Sequence, residues 1–331
     1  MARRSKQQVS KHKHQPVDAT VRLGPLRLDG PIVAASGTFG HGDEVARLCD
    51  PSRLGAVTAK SQAPFPWPGN PAPRLHPSAC GMVNAVGLQG LGIDHWVEHD
   101  LPALRASGAR VIASIWGHTI DDYAMAARQL APVAEHLVAI EVNLSCPNLH
   151  GGDGTGTAGS NSMFAHDSVA TTAVIEAVRN EGVAVPLFAK LSPGVTDLPV
   201  IAGAALQAGA TGLTLVNTLR ALLIDAEVRR PLLGAGGGGL SGAAIKPVAL
   251  RAVHDVTQAF PGTPVIGTGG VMTGVDAVEM LLAGASAVGV GTATFADPRA
   301  PLRIHDELLE WCRHHGVVRV SELTGGLQWN P

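Results

Sequence analysis

Charge is scarce in this 331-residue chain: Lys, Arg, Asp and Glu make up 16% of it, and the net charge is -2. Such a balance leaves no general footprint for nucleic acid or an anionic membrane. No apolar run approaches the roughly 18 residues that a spanning helix needs. The opening residues, Met1 to Pro16, are basic and polar with no apolar h-region behind them. That pattern argues against a secretory signal and for a disordered tail, in which His12 and His14 are solvated. Cysteine is sparse too. Cys49, Cys80, Cys146 and Cys312 form no CxxC pair, so neither zinc nor an iron–sulfur cluster is indicated, and no metal site is expected. They are expected as reduced thiols of a cytoplasmic protein, one available for catalysis while the others pack as small hydrophobes. Beyond the tail the only lysines are Lys60, Lys190 and Lys246.

What is abundant is apolar material, 45% of the residues, arranged as short runs alternating with longer amphipathic stretches. Alternation of this kind predicts βαβ units and a parallel sheet. After a hairpin (Val21–Leu23, Leu26–Leu28) the strand candidates are Ile32–Ala35, Ala56–Ala59, Val111–Ser114, Ala139–Val142, Leu187–Ala189, Gly212–Val216, Val265–Ile266 and Ala287–Val290. Ser168–Asn180, Leu198–Ala208 and Gly274–Ala283 fit helices between them. Eight strands point to a closed α/β barrel, a (β/α)8 TIM barrel, where five or six would suggest an open sheet. Residues 1–18 are therefore expected as the tail and 19–331 as a single barrel domain. Two connections are long: Ser61 to about His99, and His150 to about Met163, the latter rich in glycine. Both follow strand ends on the face where barrel active sites form, which suits lids or binding loops. The run Gly236–Gly239 lacks the strand–turn–helix setting of a dinucleotide fingerprint and reads as a flexible loop.

The residues just after each strand are small or able to hydrogen-bond: Ser36-Gly37-Thr38, Lys60, Ser114, Asn143 with Ser145-Cys146-Pro147-Asn148, Lys190, Asn217-Thr218, Gly269-Gly270 and Gly291-Thr292. Such a ring could line one polar pocket. Lys60 and Lys190 each end an apolar run, which suits either a snorkelling amine or an ammonium held against an anionic cofactor or substrate. The glycines after the last two strands stand where barrels often build a phosphate site from backbone N–H groups. A lone cysteine is more often inert packing. Cys146, however, lies on a polar loop before a rigid proline, between Asn143 and Asn148, where a tuned thiol can move a proton. Neutral amides there, with Asn84 and Asn217, can bind a polar heterocycle through donors and acceptors alike. No His/Asp set suggests a hydrolase triad.

From Val21 to Asp297 the sequence resembles the class 1 dihydroorotate dehydrogenases. The resemblance is carried by Ala35-Ser36-Gly37-Thr38-Phe39-Gly40, Asn84-Ala85-Val86-Gly87-Leu88-Gln89, Asn143-Leu144-Ser145-Cys146-Pro147-Asn148, Ala189-Lys190-Leu191-Ser192-Pro193, Val216-Asn217-Thr218, Gly238-Gly239-Leu240-Ser241-Gly242 and Gly289-Val290-Gly291-Thr292-Ala293. The second and fourth are most similar to the class 1B, NAD-linked branch. The resemblance implies an FMN-dependent oxidation of dihydroorotate to orotate in pyrimidine biosynthesis, with Cys146 as general base and Lys190 stabilising the reduced flavin. It implies substrate contacts from Lys60, Asn84, Gly87, Leu88, Asn143, Asn148, Asn217 and Thr218. It implies flavin contacts from Ala35, Ser36, Lys60, Ser114, Asn143, Lys190, Val216, Ser241 and Gly242, and a phosphate cradle of Gly269, Gly270, Gly291 and Thr292. In class 1B the electrons leave through a separate FAD and iron–sulfur subunit, so a heterotetramer, or otherwise a homodimer, is expected. Three positions depart from the family pattern: Ser114 in place of an asparagine, the longer glycine-rich loop after Asn148, and Gly194 in place of an asparagine. They leave fumarate open as an alternative acceptor, and a uracil-type dihydropyrimidine as an alternative substrate. A non-catalytic barrel would need neither Cys146 nor the two lysines.

Overall fold

The structure, a computed structural model, describes residues 16–145 and 163–329. Most of the basic tail, Cys146, Asn148 and the glycine-rich connection before residue 163 lie outside these residues. Strands β1 (Val21–Leu23) and β2 (Leu26–Leu28) pair antiparallel, and β3 (Ile32–Ala34) and β4 (Ala56–Thr58) follow. Next come β5 (Leu75–Ser78), β6 (Gly81–Asn84), β7 (Val111–Ile115), β8 (Leu137–Asn143), β9 (Leu187–Leu191) and β10 (Gly212–Leu215). Then β11 (Leu219–Ala221), β12 (Ile224–Asp225), β13 (Arg230–Pro231) and β14 (Gly238–Ser241) precede β15 (Val265–Thr268) and β16 (Ala287–Val290).

Strands β3, β4, β7, β8, β9, β10, β15 and β16 close into a barrel in that order, and each neighbouring pair is parallel. This is the (β/α)8 barrel expected from the sequence. A parallel strand is covered on both faces, which is why these segments read as apolar runs without alternation. All five residues of β7 and all five of β9 are buried. Fully burying Phe188, Ile112 or Leu215 contributes roughly 1.5–3 kcal/mol apiece. The β1–β2 turn packs against Thr211 and Pro264, which precede β10 and β15, so the hairpin covers the N-terminal mouth.

The helices start on local chemistry. The Asp167 side chain accepts from the N–H groups of Val169 and Ala170, opening helix Ser168–Asn180, whose buried Thr171, Val174, Ile175 and Val178 follow the helical period. Asp197 caps Leu198–Gln207, with Pro199 in its first turn. Thr273 and Asp276 form a reciprocal capping box on Gly274–Leu282.

The first long connection and the glycine run carry strands of their own. The first long connection contains β5 and β6, and the chain between β10 and β15 contains β11 and β14; together they make an antiparallel sheet ordered β11-β14-β6-β5. Gly238 and Gly239, expected in a flexible loop, belong to β14. The reason is close approach. A Cβ on Gly238 would lie 2.4 Å from the Asn84 carbonyl oxygen, so glycine lets β14 sit against β6.

Candidate active site

In a parallel barrel every strand delivers its C-terminal residue to the same rim. Here that rim surrounds a cavity of about 1080 Å³, counting its solvent-open mouth. Strand β3 leads to Ala35 and Ser36, β4 to Lys60, β8 to Asn143 and β9 to Lys190, all at the wall. Strand β10 leads to Val216, Asn217 and Thr218, β15 to Gly269 and Gly270, and β16 to Gly291 and Thr292. The antiparallel sheet brings Asn84, Ser241 and Gly242 to the rim from outside the barrel, and Gly87 and Leu88 complete that side. Leu88 has a φ of 60°, a left-handed conformation uncommon for a branched side chain.

Behind the wall the polar groups are joined. Asn143 Nδ2 donates to Ser61 Oγ at 3.2 Å, and Ser61 Oγ lies 2.8 Å from Ser114 Oγ. Ser114 donates to Glu141 Oε1 at 3.2 Å, and Lys190 Nζ donates to the same oxygen at 3.4 Å. The side chains of Lys190 and Glu141 are 8% and 3% exposed, a buried ion pair. Asn143 Oδ1 accepts from the Ser145 N–H at 3.3 Å, and Asn217 Nδ2 donates to Ser145 Oγ at 3.1 Å and to the Ser145 carbonyl. Tyr123 OH donates to the Asn143 carbonyl at 2.8 Å. Two amides and one amine are thereby held before any ligand arrives, which is the preorganisation that electrostatic catalysis requires.

The opposite corner is made of backbone. Gly269 and Gly270 have φ values of 130° and 76°, and a Cβ on Gly270 would lie 2.6 Å from the Lys246 nitrogen. Glycine is therefore required where this turn meets the first turn of helix Lys246–Ala259. A Cβ on Gly291 would meet nothing nearer than 3.6 Å, so this residue borders open cavity. Thr268 Oγ1 is buried, pointing at Gly289, where a Cβ would lie 2.0 Å from it, and has no hydrogen-bond partner among the described residues. Backbone N–H groups at one corner suit a phosphate monoester, and two amines with three amides suit a polar heterocycle of partial negative charge. The residues present thus fit a flavin mononucleotide.

Ser114 differs from the expectation. It is 2% exposed and is not among the residues lining the cavity; it touches Ser61 and Glu141 behind the wall. Ser61, Met82, Ile245 and Met272 line the cavity and were not singled out from the sequence. Glu141 was missed as well, although a lone acid inside the apolar run 137–142 was a readable signal. Cys146 and Asn148 lie outside the described residues. Of the other cysteines, Cys49 and Cys312 are packed inside, and burial pushes each thiol up to about 11. Cys80 is exposed, contrary to the expectation that it packs. Among the described residues no His, Cys, Asp and Glu group is arranged to hold a metal ion. No helix among them is long and apolar enough to cross a membrane.

A family model described as Dihydroorotate dehydrogenase matches residues 19–311. The chain belongs to the dihydroorotate dehydrogenase family. A relative from Geobacter sulfurreducens, named dihydroorotate dehydrogenase B (NAD(+)), catalytic subunit, is 43% identical over 315 residues, covering 95% of this chain and 99% of the relative. A relative from Solibacter usitatus, named putative dihydroorotate dehydrogenase A (fumarate), is 44% identical over 315 residues with the same coverage. The solved structure of a dihydroorotate dehydrogenase from Eimeria tenella in complex with ferulenol superposes with a TM-score of 0.73 at 22% identity, covering 97% of this chain and 94% of that one. At that identity the likeness speaks for the barrel alone. Membership of the dihydroorotate dehydrogenase family carries the enzymatic class, an oxidoreductase.

Proposed function

We propose that the cavity holds FMN and that the enzyme oxidises (S)-dihydroorotate to orotate in pyrimidine biosynthesis. The observation that carries this is the convergence of Lys60, Lys190, Asn143 and Asn217 on one cavity in a chain of this family. When bound, FMN supplies the hydride acceptor for C6 of the substrate. Cys146 takes the C5 proton as general base. Asn84, Asn143, Asn148, Asn217 and Thr218 hold the ring amides and the carboxylate, with Gly87 and Leu88 beside them. Lys60 spans flavin and substrate, and Lys190 faces the flavin edge on which negative charge develops. Gly269, Gly270, Gly291 and Thr292 receive the phosphate, while Ala35, Ser36, Val216, Ser241 and Gly242 border the ring and ribityl chain.

We read the chain as the catalytic subunit of the NAD-linked type. In support, several of its relatives carry that name, and its Asn84–Gln89 and Lys190–Pro193 segments are similar to that branch. Electrons would then leave through a second subunit bearing FAD and an iron–sulfur cluster, in a cytoplasmic heterotetramer. NAD reduction should require that partner, and rapid fumarate reduction by the chain alone would overturn this part.

The deciding experiment is anaerobic mixing of the purified yellow protein with dihydroorotate while following flavin absorbance. Rapid bleaching is expected, and Cys146→Ala should slow it at neutral pH by about 10²- to 10⁴-fold, the usual contribution of a positioned base. A flavin that stays oxidised would exclude dihydroorotate and turn attention to other dihydropyrimidines.

A further inference from the structure

Glu141 bonds Lys190 of the cavity wall from behind, and it is 2% exposed. A charge buried so deeply is costly unless it is paired and hydrogen-bonded. It has two partners, Lys190 at 3.4 Å and Ser114 at 3.2 Å. From these contacts the hydrogen positions follow. The Ser145 N–H can only donate, so the group it meets on Asn143 is the oxygen, and the nitrogen end faces Ser61. Ser61 accepts there and has one hydrogen left, 2.8 Å from Ser114 Oγ. Ser36, 3.2 Å from Ser61 on the other side, spends its own hydrogen on the Ala59 carbonyl. Ser114 must donate onward, because an ionised carboxylate only accepts. The chain runs one way: Asn143 to Ser61 to Ser114 to Glu141, with Lys190 donating into the same oxygen.

We infer that Glu141 is a positioning residue that anchors the Lys190 ammonium and, through Ser114 and Ser61, holds the nitrogen end of the Asn143 amide in place. The inference rests on reading the cavity as the flavin and dihydroorotate site. It divides into two arms. Through Lys190, Glu141 offsets part of the positive charge felt by the flavin. Through the serines, it fixes an amide that binds substrate.

The test uses the FMN-loaded enzyme and reads the midpoint potential of the bound flavin, the FMN dissociation constant and the split between KM and kcat. In E141Q the Lys190 charge is no longer offset. The ratio of affinities for reduced over oxidised flavin should rise about tenfold, a shift of about 30 mV for a two-electron couple. In a K190M background there is no ammonium left to offset, so an effect carried through Lys190 is lost and adding E141Q should change the ratio less than about twofold. E141D keeps the carboxylate and should return the ratio to within about threefold of wild type. S114A leaves the ion pair in place, so it should raise KM for dihydroorotate about tenfold with the potential unchanged. An unchanged potential in E141Q, or an equal shift in the K190M background, overturns the first arm. An unchanged KM in S114A overturns the second. If E141Q does not fold, E141D decides the first arm by a shift in the same direction of up to about threefold, an unchanged ratio overturning it, and S114A decides the second. A wild-type chain that binds no FMN, or whose flavin dihydroorotate does not reduce, fails the underlying reading instead and is told apart at the first step.

Discussion

Lys190 and Lys246 both make ion pairs, and they teach opposite lessons about distance. Lys246, at the start of helix Lys246–Ala259, has carboxylate oxygens of Asp276 and Glu279 at 2.6 and 2.7 Å. Lys190, at the end of β9, has Glu141 at 3.4 Å. The longer pair is the more consequential one. Lys246 keeps 28% of its side chain exposed, so water replaces most of what a lost partner supplied. Lys190 and Glu141 are almost fully enclosed, and removal of either leaves a charge with no solvent to receive it. Burial sets the cost of breaking a pair, and the C-terminal rim of the barrel is where the fold has buried one.

The comparison can be broken at several levels. Lys190→Met should have the largest effect, lowering kcat/KM for dihydroorotate by about 10²- to 10³-fold, the cost of removing one preorganised donor from developing charge. Steady-state kinetics with a flavin-reducible acceptor dye would check it. Glu141→Leu should destabilise the fold by roughly 3–5 kcal/mol, read from the denaturant midpoint, and adding Lys190→Met should recover part of that loss. A loss below about 1 kcal/mol would place this pair with the surface ones.

Lys246→Met should cost about 1 kcal/mol with the midpoint as readout, and its pH dependence has a definite sign. Burial opposes ionisation of Asp276, yet the Lys246 ammonium and the N–H groups of Met272 and Thr273 hold its carboxyl below the usual range. The contribution of Asp276 is therefore present above a pH of about 4 and lost as pH falls through its folded-state value. Lys246 is held above its usual range, first by Asp276 and then by Glu279, so its contribution is full below about pH 10 and lost as pH rises through its folded-state value. The difference between wild type and Lys246→Met should be flat between those limits. The smallest effect belongs to the exposed helical pair Arg251–Asp255: Arg251→Ala should change stability by about 0.3–0.5 kcal/mol, and less in high salt.

Much of the barrel was legible one segment at a time. Ile32–Ala35, Val111–Ser114 and Leu187–Ala189 read as buried parallel strands because both faces need apolar residues, and Ser168–Asn180 read as a helix because its apolar positions follow the helical period. The antiparallel sheet was not legible. Strand β6 pairs with β14, Asn84 opposite Gly239, across 155 residues of sequence, and β14 is short and half glycine. Its apolar pattern is too weak to announce a strand, and only the partner supplies its hydrogen bonds. The site divides in the same way. Lys60, Lys190, Asn143 and Asn217 stood out as polar residues at the ends of apolar runs, whereas Glu141 lay within one, where a sequence pattern does not say what it faces.

The sequence by itself determined the strand and helix segments, the polar ring that follows the strands and the family motifs, because local periodicity, caps and spacing are written residue by residue. Tertiary structure alone decided that Ser114 stands behind the wall and that Gly238 and Gly239 form a strand. It also decided that Glu141, Ser114 and Ser61 link Lys190 to Asn143. These facts depend on which side chains closure of the barrel brings within about 3 Å of each other, and hydrogen bonds and buried charges are strong only at that range and away from water.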